Sequence, residues 1–248
     1  MSQLATIRSH NRAEIRSVLQ SDILRLQGFR TNQPAGKHIN LGSLLSAFPH
    51  NIFPTSAVHE FVSESAENLA ATSGFVSGIL STLMNDGGIT AWISPGISIF
   101  PPALKQFGIS PEQVIFIEVR NERDALWTIE EALKCKAITC VVGELNSISF
   151  NASRRLQLSV EESHSTGFIL KKGLRNVGTT ACVSRWKIDP LPGLTDDLPG
   201  VGYPAWRVEL LRVRNGKPGI WNIGWRNGAF VPIHQESMNT ETQIRKAV

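Results

Sequence analysis

An apolar run at 58–62 ends on a polar stretch and is followed by a second apolar segment at 75–84, an arrangement in which strand, turn and helix can hold a phosphate group. A phosphate loop there would read GxxxxGK[ST]. Its glycines let successive backbone N–H groups wrap the anion, and its lysine adds a charge-assisted contact of about 1.5–3 kcal/mol. Residues 63–70 read SESAENLA instead. Laid over the motif without gaps, Ser63 and Asn68 take the glycine positions, Leu69 the lysine and Ala70 the hydroxyl. Glu64 and Glu67 would repel an anion, so this stretch predicts no triphosphate site. Thr72, Ser73 and Gly74 have the composition of a helix start and place the next helix over 75–84.

Other constellations offer little more. Cys135 and Cys140 lack a second Cys or His pair at finger spacing, so they read as buried thiols, and no metal or cofactor is expected. His59 lies inside the 58–62 run beside Glu60, where a structural role outweighs catalysis. Glu161 and Glu162 follow Arg154 and Arg155 on what reads as a solvated helix face. No GxSxG is present.

The conspicuous feature is a basic stretch: Arg154, Arg155, Lys171, Lys172, Arg175, Arg185 and Lys187, then Arg207, Arg212, Arg214, Lys217 and Arg226. Several of these should cluster in space. Lys171, Lys172 and Arg175 follow the apolar run 167–170, which puts them at the carboxyl edge of a sheet, where ligands of open α/β sheets bind. Two readings stay open: a surface that grips DNA phosphates regardless of sequence, and solvated charge or the rim of an acidic partner's site. Trp186, Trp206, Trp221 and Trp225 lie in alternating runs and read as core or interface anchors rather than base-stacking platforms.

Periodicity supplies the elements that would carry these residues. Apolar runs at 58–62, 89–93, 114–119 and 137–142 predict strands buried on both faces. Helices are predicted over 121–134, with Asn121 as cap, and over 152–163. The alternation predicts a parallel sheet covered on both sides. Beyond it, alternation around Trp206 and Trp221, with Asn215-Gly216 and Asn227-Gly228 as turns, predicts a three-stranded antiparallel meander. At the other end, Ile15, Leu19, Ile23 and Leu26 belong to a helical stripe flanked by arginines, a candidate partner-binding arm. The expected organisation is an N-terminal helical arm at 1–30, a core domain at 31–235 and a flexible tail at 236–248.

The chain has 248 residues, 42% hydrophobic and 19% charged, enough for one large core. Its net charge of +4 is too small to make the whole protein a polyanion binder, and the surplus is local: residues 151–230 carry +6 and residues 1–150 carry −2. No apolar run reaches the roughly 18–20 residues of a membrane helix. Three cysteines do not make a disulfide framework and fit a reducing compartment. The expectation is a cytoplasmic protein with free thiols and no membrane partner.

Read in order, several segments resemble the RecA family and, within it, the RecA-like ImuA accessory proteins. They are FPTSAVHEF at 53–61, ATSGF at 71–75, FPPAL at 100–104, DALW at 124–127, EEAL at 130–133, VVGEL at 141–145, ASRRLQL at 152–158, TACV at 180–183 and WRVELL at 206–211. The resemblance implies an α/β fold with a RecA-like core of mostly parallel sheet flanked by helices, a C-terminal antiparallel meander and an N-terminal helical arm.

It also implies lost working parts. The phosphate lysine corresponds to Leu69. The water-activating carboxylate would follow the second core strand, where Ser94, Pro95 and Gly96 stand. Gly143 occupies the place of the magnesium-linked Asp, leaving Glu144 one position on. The two DNA-gripping loops of RecA are short here, at 145–152 and 173–179. The resemblance thus implies a pseudo-ATPase in the SOS response, an accessory factor in damage-induced translesion synthesis that acts by contacts to ImuB, with RecA and the error-prone polymerase ImuC as further partners, and with self-association. Alternatives are a DNA-binding module using the basic patch, a cell-division inhibitor resembling SulA that would bind FtsZ, and a cryptic ATPase.

Overall fold

The structure is a computed structural model that describes residues 15, 39–85, 87–96, 99–173, 178–193 and 202–233. Nine strands form one sheet in the order β3-β2-β4-β5-β1-β6-β7-β8-β9. They are β1 Val58–Ser63, β2 Thr90–Ser94, β3 Val114–Glu118, β4 Cys140–Leu145, β5 Thr166–Lys172, β6 Ser184–Pro190, β7 Ala205–Val213, β8 Gly219–Arg226 and β9 Ala229–Pro232. Pairing is parallel from β3 through to β6, and antiparallel from β6 to β9. The meander therefore continues the parallel sheet through β6. Asn227 and Gly228 both adopt positive φ in the tight β8–β9 turn, as the sequence predicts. Asn215-Gly216 sits in a longer β7–β8 connection in which only Asn215 does so.

Helix α1, Ala66–Leu83, covers one face of the sheet, and α2, Glu122–Lys134, with α3, Phe150–Ser163, covers the other. Side chains alternate across each strand, so two cores of different composition form. On the α1 side, Phe61, Phe75, Phe168, Trp186, Trp206, Trp225 and Phe230 build a continuous aromatic layer. Val58, Ile93, Ile129, Leu133, Val141, Leu156 and Ile169 make an aliphatic layer on the other. The tryptophans of the meander are core anchors, as predicted.

Three local expectations need correction. Helix α1 starts nine residues before the predicted 75, and its cap is Ser65, whose hydroxyl accepts the Asn68 N–H at 3.2 Å. Ser73 and Ser77 lie mid-helix and donate back to the carbonyls of Leu69 and Ser73, while Gly74 admits Trp206, so weak helix formers are retained for packing. Strand β4 lies three residues later than expected, because Gly143 and Glu144 continue it. Strand β3 is a sheet edge, leaving Ile115 and Phe116 partly exposed rather than buried on both faces.

Asn121 caps α2 as predicted, accepting the Asp124 N–H at 2.9 Å. His59 is fully buried, with Nδ1 2.6 Å from Ser184 Oγ and Nε2 2.8 Å from the Pro54 carbonyl. Its role is structural. Cys140 is buried, whereas Cys135 is exposed, contrary to its reading as a core thiol. No helix among the described residues is long and apolar enough to cross a membrane.

Candidate functional site

The carboxyl edge of the parallel strands on the α1 side is where the phosphate-loop comparison places a ligand. Only Glu64 and Ser65 separate β1 from α1. The helix N-terminus is closed by protein groups: the Ser65 hydroxyl takes the Asn68 N–H, and Asn68 Nδ2 donates to Asp189 Oδ1 at 2.8 Å and to the Ile188 carbonyl at 3.2 Å. Glu64 pairs with Lys187 at 2.6 Å, an interaction that raises the lysine's pKa, and the Ser65 hydroxyl lowers that of Glu67. Ser63 is buried with its Oγ 3.2 Å from Thr72 Oγ1. Leu69 packs against the aromatic layer and Ala70 faces solvent.

Gly143 and Glu144 lie side by side in β4 and point to opposite faces. A Cβ at Gly143 would stand 2.2 Å from Ile129 Cδ1 of α2, so the close approach of that helix requires glycine. Glu144 is buried in the α1-side layer, where Trp92 Nε1 donates to Oε1 at 3.0 Å and Lys172 Nζ lies 2.9 Å from Oε2. The carboxylate is thus neutralised within the sheet. After β2, the Ser94 hydroxyl donates to the Gly96 carbonyl and closes that turn locally. Among the described residues no group of three or more His, Cys, Asp or Glu side chains could hold a metal ion.

Five of the seven candidate DNA-binding residues pair with acids: Lys171 and Arg185 share Glu60, while Arg155, Lys172 and Lys187 each meet a different carboxylate. Lys171 was placed at the open edge by sequence; it is instead 1% exposed and pairs with Glu60 at 3.2 Å. Arg185 donates through Nε to the other oxygen of Glu60 at 2.8 Å, and Thr180 Oγ1 reaches the same oxygen at 2.8 Å. Lys172 pairs with Glu144, Lys187 with Glu64, and Arg155 with Glu130 at 3.0 Å. Arg154 is exposed on α3 beside the segment 179–183. Arg175 lies outside the described residues. So do Leu19, Ile23 and Leu26 of the expected arm, whereas Ile15 is helical and exposed.

Sequence reading missed the Glu60 cluster. Its signal was available: a lone acid inside an apolar strand must find a cation when buried. Which cation it finds depends on β1 lying between β5 and β6, an adjacency that periodicity does not give.

A mostly parallel sheet with helices on both faces, extended by an antiparallel meander, defines a RecA-like α/β domain. The crystal structure of the RadB recombinase superposes with a TM-score of 0.50 at 13% identity, covering 73% of this chain and 92% of RadB. SulA from Pseudomonas aeruginosa gives a TM-score of 0.40 at 19% identity over 47% of this chain. In sequence, the chain is 32% identical over 192 residues to the ImuA protein of Caulobacter vibrioides strain NA1000 / CB15N, spanning 72% of this chain and 79% of that protein, and the ImuA of strain ATCC 19089 of the same species matches equally. No family model matches the chain. The chain belongs to the ImuA family.

Proposed function

We propose that this protein is a non-catalytic RecA-like accessory factor in damage-induced translesion DNA synthesis, and that it works by docking other proteins: ImuB first, with RecA and the error-prone polymerase ImuC as further partners. One observation carries the non-catalytic part. The α1 N-terminus, which would cradle phosphates, is capped by Ser65 and bridged to β6 through Asn68 and Asp189, beside the Glu64–Lys187 pair. A nucleotide would have to displace these contacts and face Glu64 and Glu67. The family membership supports the pathway, and the helical arm expected at 1–30 is the first candidate surface for partner or self-contacts.

Isothermal titration with ATP and magnesium tests the first half of the proposal: no heat of binding is expected, and micromolar affinity would overturn it. Capture of purified ImuB tests the second. The full chain should retain ImuB, and a chain lacking residues 1–30 should lose it while keeping its thermal transition. Failure of the full chain to retain ImuB would sink the docking function.

A further inference from the structure

A groove of about 520 Å³ lies between α3 and the segment 179–183, with the end of β7 as its third wall. Phe150 and Leu158, both exposed, combine with Val183 and Val213 to make the walls apolar. Arg154, Arg212 and Arg214 stand around it, against Glu161 on the same lining. Cys182 adds to the apolar wall, because burial pushes its thiol up to about 12 and keeps it neutral.

Two donors on this lining have no acceptor among the described residues. Gln157 is 5% exposed; its Oε1 accepts the Val58 N–H at 3.1 Å, which leaves Nε2 buried and unpartnered. Arg212 directs Nη2 to the carbonyls of Thr180 and Cys182 at 2.9 and 3.0 Å, and its Nε is buried without a partner. Buried donors left unsatisfied are rare because each loses its water without replacement. Here both lie behind the groove surface, so what the groove offers a ligand is its exposed arginines and its apolar walls. The arginines favour an anionic acceptor, and the walls favour a hydrocarbon neighbour. Glu161 disfavours a continuous polyphosphate. The wall opposite α3 is set in advance, since Glu60 holds Thr180 and Arg185, and Arg185 Nη2 holds the Gly178 carbonyl.

We infer that this groove docks a peptide segment of a partner protein that presents an aspartate or glutamate next to a leucine or phenylalanine. The carboxylate pairs with the exposed Arg154 and Arg214, and the apolar side chain lies against Phe150 and Leu158. The inference rests on the docking function proposed above and gives it a surface and a chemistry.

A phage-displayed random-peptide library selected against the immobilised full-length chain tests it. Sequences pairing Asp or Glu with Leu or Phe should be enriched. A fluorescein-labelled peptide of the leading sequence should lose affinity by about tenfold or more with Arg154→Glu or Leu158→Glu, both at exposed positions. Arg214→Glu, also at an exposed position on the lining, should act in the same direction. Absence of such sequences, or affinity unchanged by the exposed variants, overturns the inference. So does labelled oligo-dT binding that falls in these variants while peptide binding does not. If full-length chain retains the polymerase-like partner while the groove variants do so equally well, the groove is wrong and the docking function stands.

Discussion

Replacing Gly143 by alanine tests whether the packing of α2 on β4 closes this position to any side chain. The added Cβ would lie 2.2 Å from Cδ1 and 2.6 Å from Cγ1 of Ile129, which is fully buried in the aliphatic layer and has little room to turn away. Without a clash, glycine to alanine inside a strand stabilises by about 0.5–1 kcal/mol, because the unfolded chain loses freedom. Overpacking of this kind destabilises by about 1–3 kcal/mol. The expected net change is a loss of about 1–2 kcal/mol, so the sign itself discriminates. Urea unfolding followed by far-ultraviolet circular dichroism reads it. Ile129→Ala alone should lose about 2–5 kcal/mol to the cavity it leaves, but in that background Gly143→Ala should be neutral or stabilising. A stabilising Gly143→Ala in the wild-type background, or an equal loss in both backgrounds, would refute the steric argument.

Two further outcomes follow from buried groups. Burial holds the His59 imidazole down to about 4 from 6.5, so the unfolded chain takes up the proton first as the pH falls. Its contribution to stability is complete above about pH 6.5 and is lost progressively toward pH 4, about 3 kcal/mol in all; melting temperatures across this window should fall in the wild type and fall less in His59→Gln. Lys171→Met leaves Glu60 buried with Arg185 and Thr180 alone, and should cost about 3–5 kcal/mol in urea unfolding, most of it regained by adding Glu60→Gln. A single variant indistinguishable from wild type would mean that Arg185 suffices to hold the carboxylate.

The alternation of strand and helix was legible because each parallel strand is a short apolar run closed by a polar turn. The meander was legible in its alternating tryptophans. Helix α1 was harder, since Thr72, Ser73 and Gly74 look like an end and are in fact the stretch where the helix meets Trp206. Strand β3 reads like the central strands, and only its place at the sheet edge exposes Ile115 and Phe116. At the candidate site, Leu69 and the acids Glu64 and Glu67 could be read directly as a stretch that does not suit an anion. It could not announce that Lys172 meets Glu144 or that Lys171 meets Glu60, because these contacts arise from strand order. A run of cations in a sequence therefore measured how many acids the fold had to neutralise more than it measured a surface.

The separation of aromatic and aliphatic packing onto opposite faces decides what light can report. Trp92, Trp186, Trp206 and Trp225 lie in one layer, with Trp221 packed against it, whereas Trp127 projects into solvent from α2 on the opposite side. Intrinsic emission thus watches half of the molecule. Loosening of α2 and α3 would pass almost unseen in the blue-shifted buried signal, and a variant carrying Trp127 alone would turn the silent half into the visible one.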